Sequence, residues 1–122
     1  MIPMKIRIKG NSVRFRLTQS EVKQLCENGS VSEQTNFEDT SFRYTVKMTD
    51  DKDTLFANFE DGMITLFLPE GLGKDWYTNE RVGFQHHQDT LFLLLEKDFT
   101  CLDNTMEDQT DNYPNPKLMT KE

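Results

Sequence analysis

The strongest constraint on the fold lies at the start of the chain, where two runs of residues alternate strictly between apolar and polar or basic side chains. Residues 4–9 read MKIRIK, residues 12–17 read SVRFRL, and the pair Gly10-Asn11 separates them. Strict alternation is typical of a β-strand with one buried face, and a short turn that contains glycine is typical of a β-hairpin. The sequence therefore predicts an antiparallel hairpin here.

The predicted hairpin separates apolar from basic side chains. Pairing across the turn places Ile8 opposite Val13 and Ile6 opposite Phe15, so that the apolar side chains share one face. Like charges that lie directly opposite each other destabilise a sheet, and the other face therefore needs compensation. That other face carries Lys5, Arg7, Lys9, Arg14 and Arg16, with Arg7 opposite Arg14 and Lys5 opposite Arg16.

Two interpretations of this basic surface remain open. In the first, acidic residues of the same chain neutralise it. In the second, the arginines hold a phosphate or carboxylate group in a bidentate manner. Nucleic acid is disfavoured, because the formal net charge is −7 and Phe15 points away from the arginines. The candidate acidic partners are Glu33, Glu60, Glu96, Glu107, Asp108 and Asp111.

The next segment carries the signals of a short helix. Thr18 and Glu21 have the spacing of a capping box, and Val22 and Leu25 follow at helical spacing. Gly29 suits the left-handed position that ends many helices. The sequence predicts a helix over about residues 19–28.

The rest of the patterned chain reads as strands joined by turns. Asp61-Gly62 is a strong hairpin turn, and the unbroken apolar run 91–95 predicts a strand buried on both sides. The predicted class is α+β and mostly antiparallel β: a curved sheet or partly open barrel built of hairpins, with the helix against it. The remaining predicted elements are strands at 30–37, 42–48, 55–60, 63–68, 82–86 and 90–97, and a short helical turn near 69–77.

The apolar pattern stops after Phe99. Residues 103–122 are polar and acidic, and they contain Pro114 and Pro116. We therefore expect a single β-rich domain over 1–102 and an acidic, irregular C-terminal tail over 103–122.

Three blocks of sequence are similar to a known family. They are KIRIKGNS-x-R-x-RLTQSEV from residue 5, EKDF-x-CL from residue 96 and ED-x-x-DNYPNP from residue 107. Together they resemble a small uncharacterised bacterial domain family of unknown function, over nearly the whole chain. The resemblance implies a bacterial cytoplasmic single domain, and it supplies no catalytic residue.

Metal and catalytic patterns are weak. The adjacent His86 and His87 would face opposite sides of a strand, and neither they nor Cys26 and Cys101 have the short spacing of zinc ligands. A Cys–His nucleophile made with Cys101 is conceivable, but a lone cysteine is more often a small buried apolar residue. The sequence predicts no metal, no cofactor and no catalytic residue.

These observations favour a small non-enzymatic binding domain. No apolar run approaches the roughly 18 residues of a membrane span, and the N-terminus lacks a signal-peptide core, so we expect a cytoplasmic protein. The expected partner is an anionic small molecule or an acidic protein segment, with no membrane partner. The alternatives are an enzyme that acts on a phosphorylated substrate through the same arginines, and a purely structural interaction protein.

Overall fold

The N-terminal hairpin forms as the alternation requires. The structure, a computed structural model, describes residues 4–99, so the predicted tail and Cys101 lie outside the described residues. Strand β1 (Lys5–Lys9) pairs antiparallel with β2 (Ser12–Leu17) around Gly10, whose φ is +55°. Ile8 lies opposite Val13 and Ile6 opposite Phe15, which confirms the predicted register.

The predicted helix is also confirmed. Helix α1 covers Gln19–Asn28. The Thr18 hydroxyl accepts a bond from the Glu21 amide at 3.4 Å, and the Glu21 carboxylate accepts one from the Thr18 amide at 2.9 Å. Gly29 ends the helix in the left-handed region, with φ at 90°. Val22 and Leu25 are buried, so the apolar stripe faces the core.

The remaining elements follow the predicted order with shifted ends. The sequence pattern predicts the last turn at His87-Gln88-Asp89, between the strands at 82–86 and 90–97, but the turn falls at Asp89-Thr90, where Asp89 has a φ of 57°, and His87 lies within a strand. The helical turn predicted near 69–77 contains only one short helix. The elements are β3 (Ser30–Asn36), β4 (Ser41–Thr49), β5 (Phe56–Glu60), β6 (Met63–Pro69), α2 (Glu70–Gly73), β7 (Gly83–Gln88) and β8 (Leu91–Lys97).

The strands form two four-stranded sheets with the same plan. The first sheet has the order β1-β2-β8-β7, and the second has the order β3-β4-β6-β5. Each consists of two antiparallel hairpins, and its two central strands run parallel. The α+β class and the hairpins are confirmed. The sequence did not predict the parallel pairing of strands. In the first sheet this pairing joins β2 and β8, which lie at opposite ends of the described chain.

One hydrophobic core joins the two sheets. The inner faces contribute Phe15 and Leu93 from the first sheet and Leu66 from the second, and each of these side chains is fully buried. Trp76, which follows α2, is buried in the same core, and its indole N–H donates to the Arg81 carbonyl at 2.8 Å. In residues 4–99, no helix is long and apolar enough to cross a membrane.

Two polar contacts fix the sheets relative to each other. The Gln88 side-chain amide bonds both backbone groups of Ala57: it accepts from the Ala57 N–H at 2.7 Å and donates to the Ala57 carbonyl at 3.0 Å. The Tyr44 hydroxyl donates to the Met4 carbonyl at 3.0 Å. The first contact joins β7 to the edge strand β5, and the second joins β4 to the start of β1.

Replacing Gln88 with Ala tests the first of these contacts. The substitution leaves the N–H and carbonyl of the buried Ala57 without their partner, so we expect the free energy of unfolding to fall by about 1–3 kcal/mol. Urea unfolding measures the loss. The matched control is Gln85→Ala, which removes an exposed amide from the same strand and should change stability by less than about 0.5 kcal/mol. Equal effects of the two substitutions would contradict the bridging role.

Tyr44 predicts a pH dependence of stability. Burial, followed by the nearby Glu33 and Glu21 carboxylates, raises the pKa of Tyr44. The folded state therefore favours the neutral phenol. The stabilisation from Tyr44 is fully present below the pKa of tyrosine in the unfolded chain, about 10, and is lost as the pH rises through the higher pKa of the folded state. We expect the free energy of unfolding to fall more steeply above about pH 10 in the wild type than in Tyr44→Phe. Parallel curves in urea titrations would refute this assignment.

Candidate functional site

The outer surface of the first sheet collects the predicted basic residues. Val13, Phe15 and Leu17 are buried against the core, so the side chains between them on β2 point outward. Arg7 lies opposite Arg14, as predicted from the hairpin register. We call this outer surface the basic face. Its basic residues are Lys5, Arg7, Lys9, Arg14 and Arg16.

Strand β8 adds apolar and acidic groups to the basic face. It lies parallel to β2, with Phe92 beside Ser12 and Leu94 beside Arg14. The prediction that this strand is buried on both sides is wrong, because Phe92 and Leu94 are only half-buried while Leu93 is fully buried. Phe92 and Leu94 alternate with the core residues Leu93 and Leu95, so they lie on the outer face of the first sheet.

Glu96 forms ion pairs with two of the arginines. One carboxylate oxygen, Oε1, lies 2.9 Å from both Nε and Nη2 of Arg14 and 3.5 Å from Nε of Arg16. The Glu96 side chain retains 20% of its exposure, so these ion pairs are partly shielded from water. The interpretation that an adjoining strand compensates the arginines is therefore confirmed for Arg14 and Arg16.

The remaining basic residues differ in their surroundings. Lys5 lies 3.1 Å from the Asp98 carboxylate, at the same end of the sheet as Glu96. Arg7 and Lys9 are exposed, and within residues 4–99 no carboxylate lies within 4.0 Å of either. The positive charge of the basic face is thus compensated at one end and uncompensated at the other.

A shallow concavity occupies the uncompensated end. Its volume is about 230 Å³, and Arg7, Lys9 and Arg14 line it together with Phe92 and Leu94. This volume is below the roughly 300–1,000 Å³ of sites that enclose a drug-sized ligand. The concavity therefore suits one small group, such as a phosphate, and leaves the rest of a ligand on the open sheet.

The two histidines face opposite sides of β7, because both lie within the strand, whereas the predicted strand ended at His86. His86 pairs with the buried Leu93, whereas His87 pairs with Phe92 on the basic face. The His87 and Phe92 rings lie 4.8 Å apart between centroids, at an interplanar angle of 43°. The sequence reading missed both rings as site residues, because alternation in β8 is hidden by an unbroken apolar run.

Cys26 is separate from the histidines. Its thiol donates to the Gly73 carbonyl at 3.4 Å, between α1 and α2. Across residues 4–99, no group of three His, Cys, Asp or Glu side chains has the geometry of a metal site.

A larger concavity lies at the opposite end of the first sheet. Its volume is about 930 Å³, and Leu17, Tyr77 and Lys97 are among its lining residues. The Lys97 ammonium in this concavity already donates a hydrogen bond to the Asn79 carbonyl at 2.8 Å. Its wall also includes Phe99, the last described residue, so we assign no site to it.

The fold and this surface together define a class of protein: a small α+β domain with two sheets on one core and a basic, partly aromatic outer face. The chain belongs to the family of unknown function DUF7009, whose family model matches residues 4–117. The resemblance to a small uncharacterised domain family is thereby confirmed. No curated protein and no solved structure matches the chain.

The contribution of Glu96 to the basic face is measurable. Glu96→Gln removes the negative charge that pairs with Arg14 and Arg16, so we expect the free energy of unfolding to fall by about 1 kcal/mol at low salt. The loss should shrink at high salt, because screening weakens the repulsion among the arginines. Glu60→Gln, at an exposed position of β5, is the control. A salt-independent loss would contradict the electrostatic role.

Proposed function

We propose that this chain is a non-enzymatic, cytoplasmic binding domain that holds an anionic group, phosphate or carboxylate, at the uncompensated end of the basic face. The observation that carries the proposal is the placement of Arg7 and Lys9. They are exposed beside the concavity that Arg14 also lines, and no carboxylate of residues 4–99 lies within ion-pair distance of either.

The chemistry of arginine supports this assignment. A guanidinium group carries five N–H donors in a planar fork, which matches the oxygens of a phosphate or carboxylate. Glu96 engages Nε and one terminal nitrogen of Arg14, so the other terminal nitrogen remains for a ligand. Glu96 also restrains Arg14, which lowers the entropy lost when that side chain binds.

The compensated end of the basic face has a different role in the proposal. Lys5 and Arg16 are engaged by Asp98 and Glu96, and we assign them no direct ligand contact. They contribute to the local positive potential that attracts an anion to an otherwise acidic protein. A cytoplasmic location is compatible with the free thiol of Cys26, because disulfides are rare in that compartment.

Thermal unfolding in inorganic phosphate tests the proposal. At ten times its Kd, a single bound anion stabilises the native state by about 1.4 kcal/mol. For a chain of this size that corresponds to a rise in Tm of about 3–6 °C. We expect Arg7→Ala combined with Lys9→Ala to abolish the rise. Sodium chloride at matched ionic strength separates specific binding from screening.

Arg43→Ala provides the matched control for this experiment. Arg43 is an exposed arginine on β4, in the second sheet, and its loss should leave the phosphate effect intact. An equal rise in Tm in all variants, or none in the wild type, would overturn the proposed site. Turnover of a phosphorylated compound by the wild type, lost in the double variant, would replace the binding function with an enzymatic one.

A further inference from the structure

The basic face carries an aromatic pair that anion binding alone does not require. Phe92 is half-buried on the central strand β8, and His87 is exposed beside it on the edge strand β7. Their rings lie 4.8 Å apart between centroids and are tilted by 43°, so they pack against each other as one aromatic cluster on this face. Aromatic rings do not contribute to phosphate binding, because phosphate oxygens accept hydrogen bonds from N–H donors.

The register aligns the aromatic pair with the cations. One row across the four strands contains Lys9, Ser12, Phe92 and His87, and the neighbouring row contains Arg7, Arg14, Leu94 and Gln85. Lys9 and Phe92 are thus two strand spacings apart, or about 10 Å between backbones. The long Lys9 side chain shortens that separation, and both residues line the same concavity. One small molecule can therefore contact cation and ring together.

We infer that the basic face binds a nucleotide unit, with the phosphate held by Arg7, Lys9 and Arg14 and the base stacked on Phe92 and His87. This inference rests on the proposed anion site and names its ligand class. Stacking of bases on aromatic side chains beside a basic groove is the usual way in which open sheets hold unpaired nucleotides. The Gln85 amide, exposed in the adjoining row, offers donors and an acceptor to the edge of a base.

The charge distribution limits the ligand to a short one. The whole chain has a formal net charge of −7, which repels a long polyanion from most of its surface. On the basic face, the cations of residues 4–99 that have no ion pair are Arg7 and Lys9, which lie at one end of the sheet. The expected absence of nucleic-acid binding rested partly on the orientation of Phe15, and Phe92 supplies the aromatic surface that Phe15 does not. The nucleotide unit is either free or part of a short single strand.

Calorimetric titration of the full chain tests the inference. We use adenosine 5′-monophosphate, adenosine and inorganic phosphate as the three probes. The monophosphate should bind about 5- to 150-fold more tightly than phosphate, because stacking of one base adds about 1–3 kcal/mol. It should also bind at least about tenfold more tightly than adenosine, because adenosine lacks the charge.

Substitutions assign the stacking to particular rings. Phe92→Leu should weaken monophosphate binding by about tenfold and leave inorganic phosphate unaffected. The matched control is Phe67→Leu, since Phe67 is a half-buried ring on β6, the corresponding central strand of the second sheet. His87→Ala, at an exposed position, is a second test that does not threaten folding, and it should weaken the monophosphate by a smaller factor.

The outcomes separate the inference from the function on which it rests. Phosphate binding without any gain from the base would overturn the nucleotide inference and leave the anion site standing. Failure of every probe would overturn both. Binding that Phe92→Leu and Phe67→Leu weaken equally would also overturn the inference.

An oligonucleotide arm distinguishes the two sources of the nucleotide unit. An eight-residue single strand of riboadenylate that binds more tightly per site than the monophosphate supports a single-stranded source. Equal binding per site supports a free nucleotide. Either result supports binding of a nucleotide unit. In both cases Phe92→Leu must weaken the binding.

Discussion

The parallel pairing of β2 with β8 determines most of what this protein presents to solvent. It joins the N-terminal and C-terminal hairpins into one sheet and brings Arg14 to within 2.9 Å of Glu96, a residue 82 positions away in the chain. Without this pairing the first hairpin would expose five basic side chains with no counter-charge. With it, the charge is partly neutralised at one end and unpaired at the other, and Phe92 lies beside the unpaired end.

The second sheet provides an internal comparison. It has the same plan of two hairpins around a parallel pair, and its outer face carries Arg43, Lys47 and the half-buried Phe67. The Phe67 ring packs against Phe56, at 6.3 Å between centroids, and not against a histidine beside a basic concavity. The plan of the sheet therefore does not by itself create a site. The concentration of arginine and lysine on β1 and β2 distinguishes the first sheet.

Local chemistry made the N-terminal third of the fold predictable. Alternation and a glycine turn determine the hairpin, and a capping box with a left-handed glycine determines α1, because all of these interactions join residues close in sequence. The pairing of β2 with β8 joins residues that are distant in sequence, and the sequence of either strand alone does not identify the strand with which it pairs. The prediction therefore contained the five basic residues but not Phe92, His87 or, among the acidic candidates that the structure describes, the choice of Glu96 over Glu33 and Glu60.

Protection of the sheet edge explains the basic residues of β1 but not the other features of the basic face. β1 is an edge strand, and charged side chains on an edge discourage pairing with another chain. That purpose accounts for the alternating basic residues of β1. It does not account for Arg14, which lies on the neighbouring central strand and is repelled by Arg7.

Edge protection also does not account for Phe92, which lies half-exposed on a central strand. A polar residue at this position would avoid the contact between an apolar ring and water. A ligand that carries both negative charge and a flat ring would use both features.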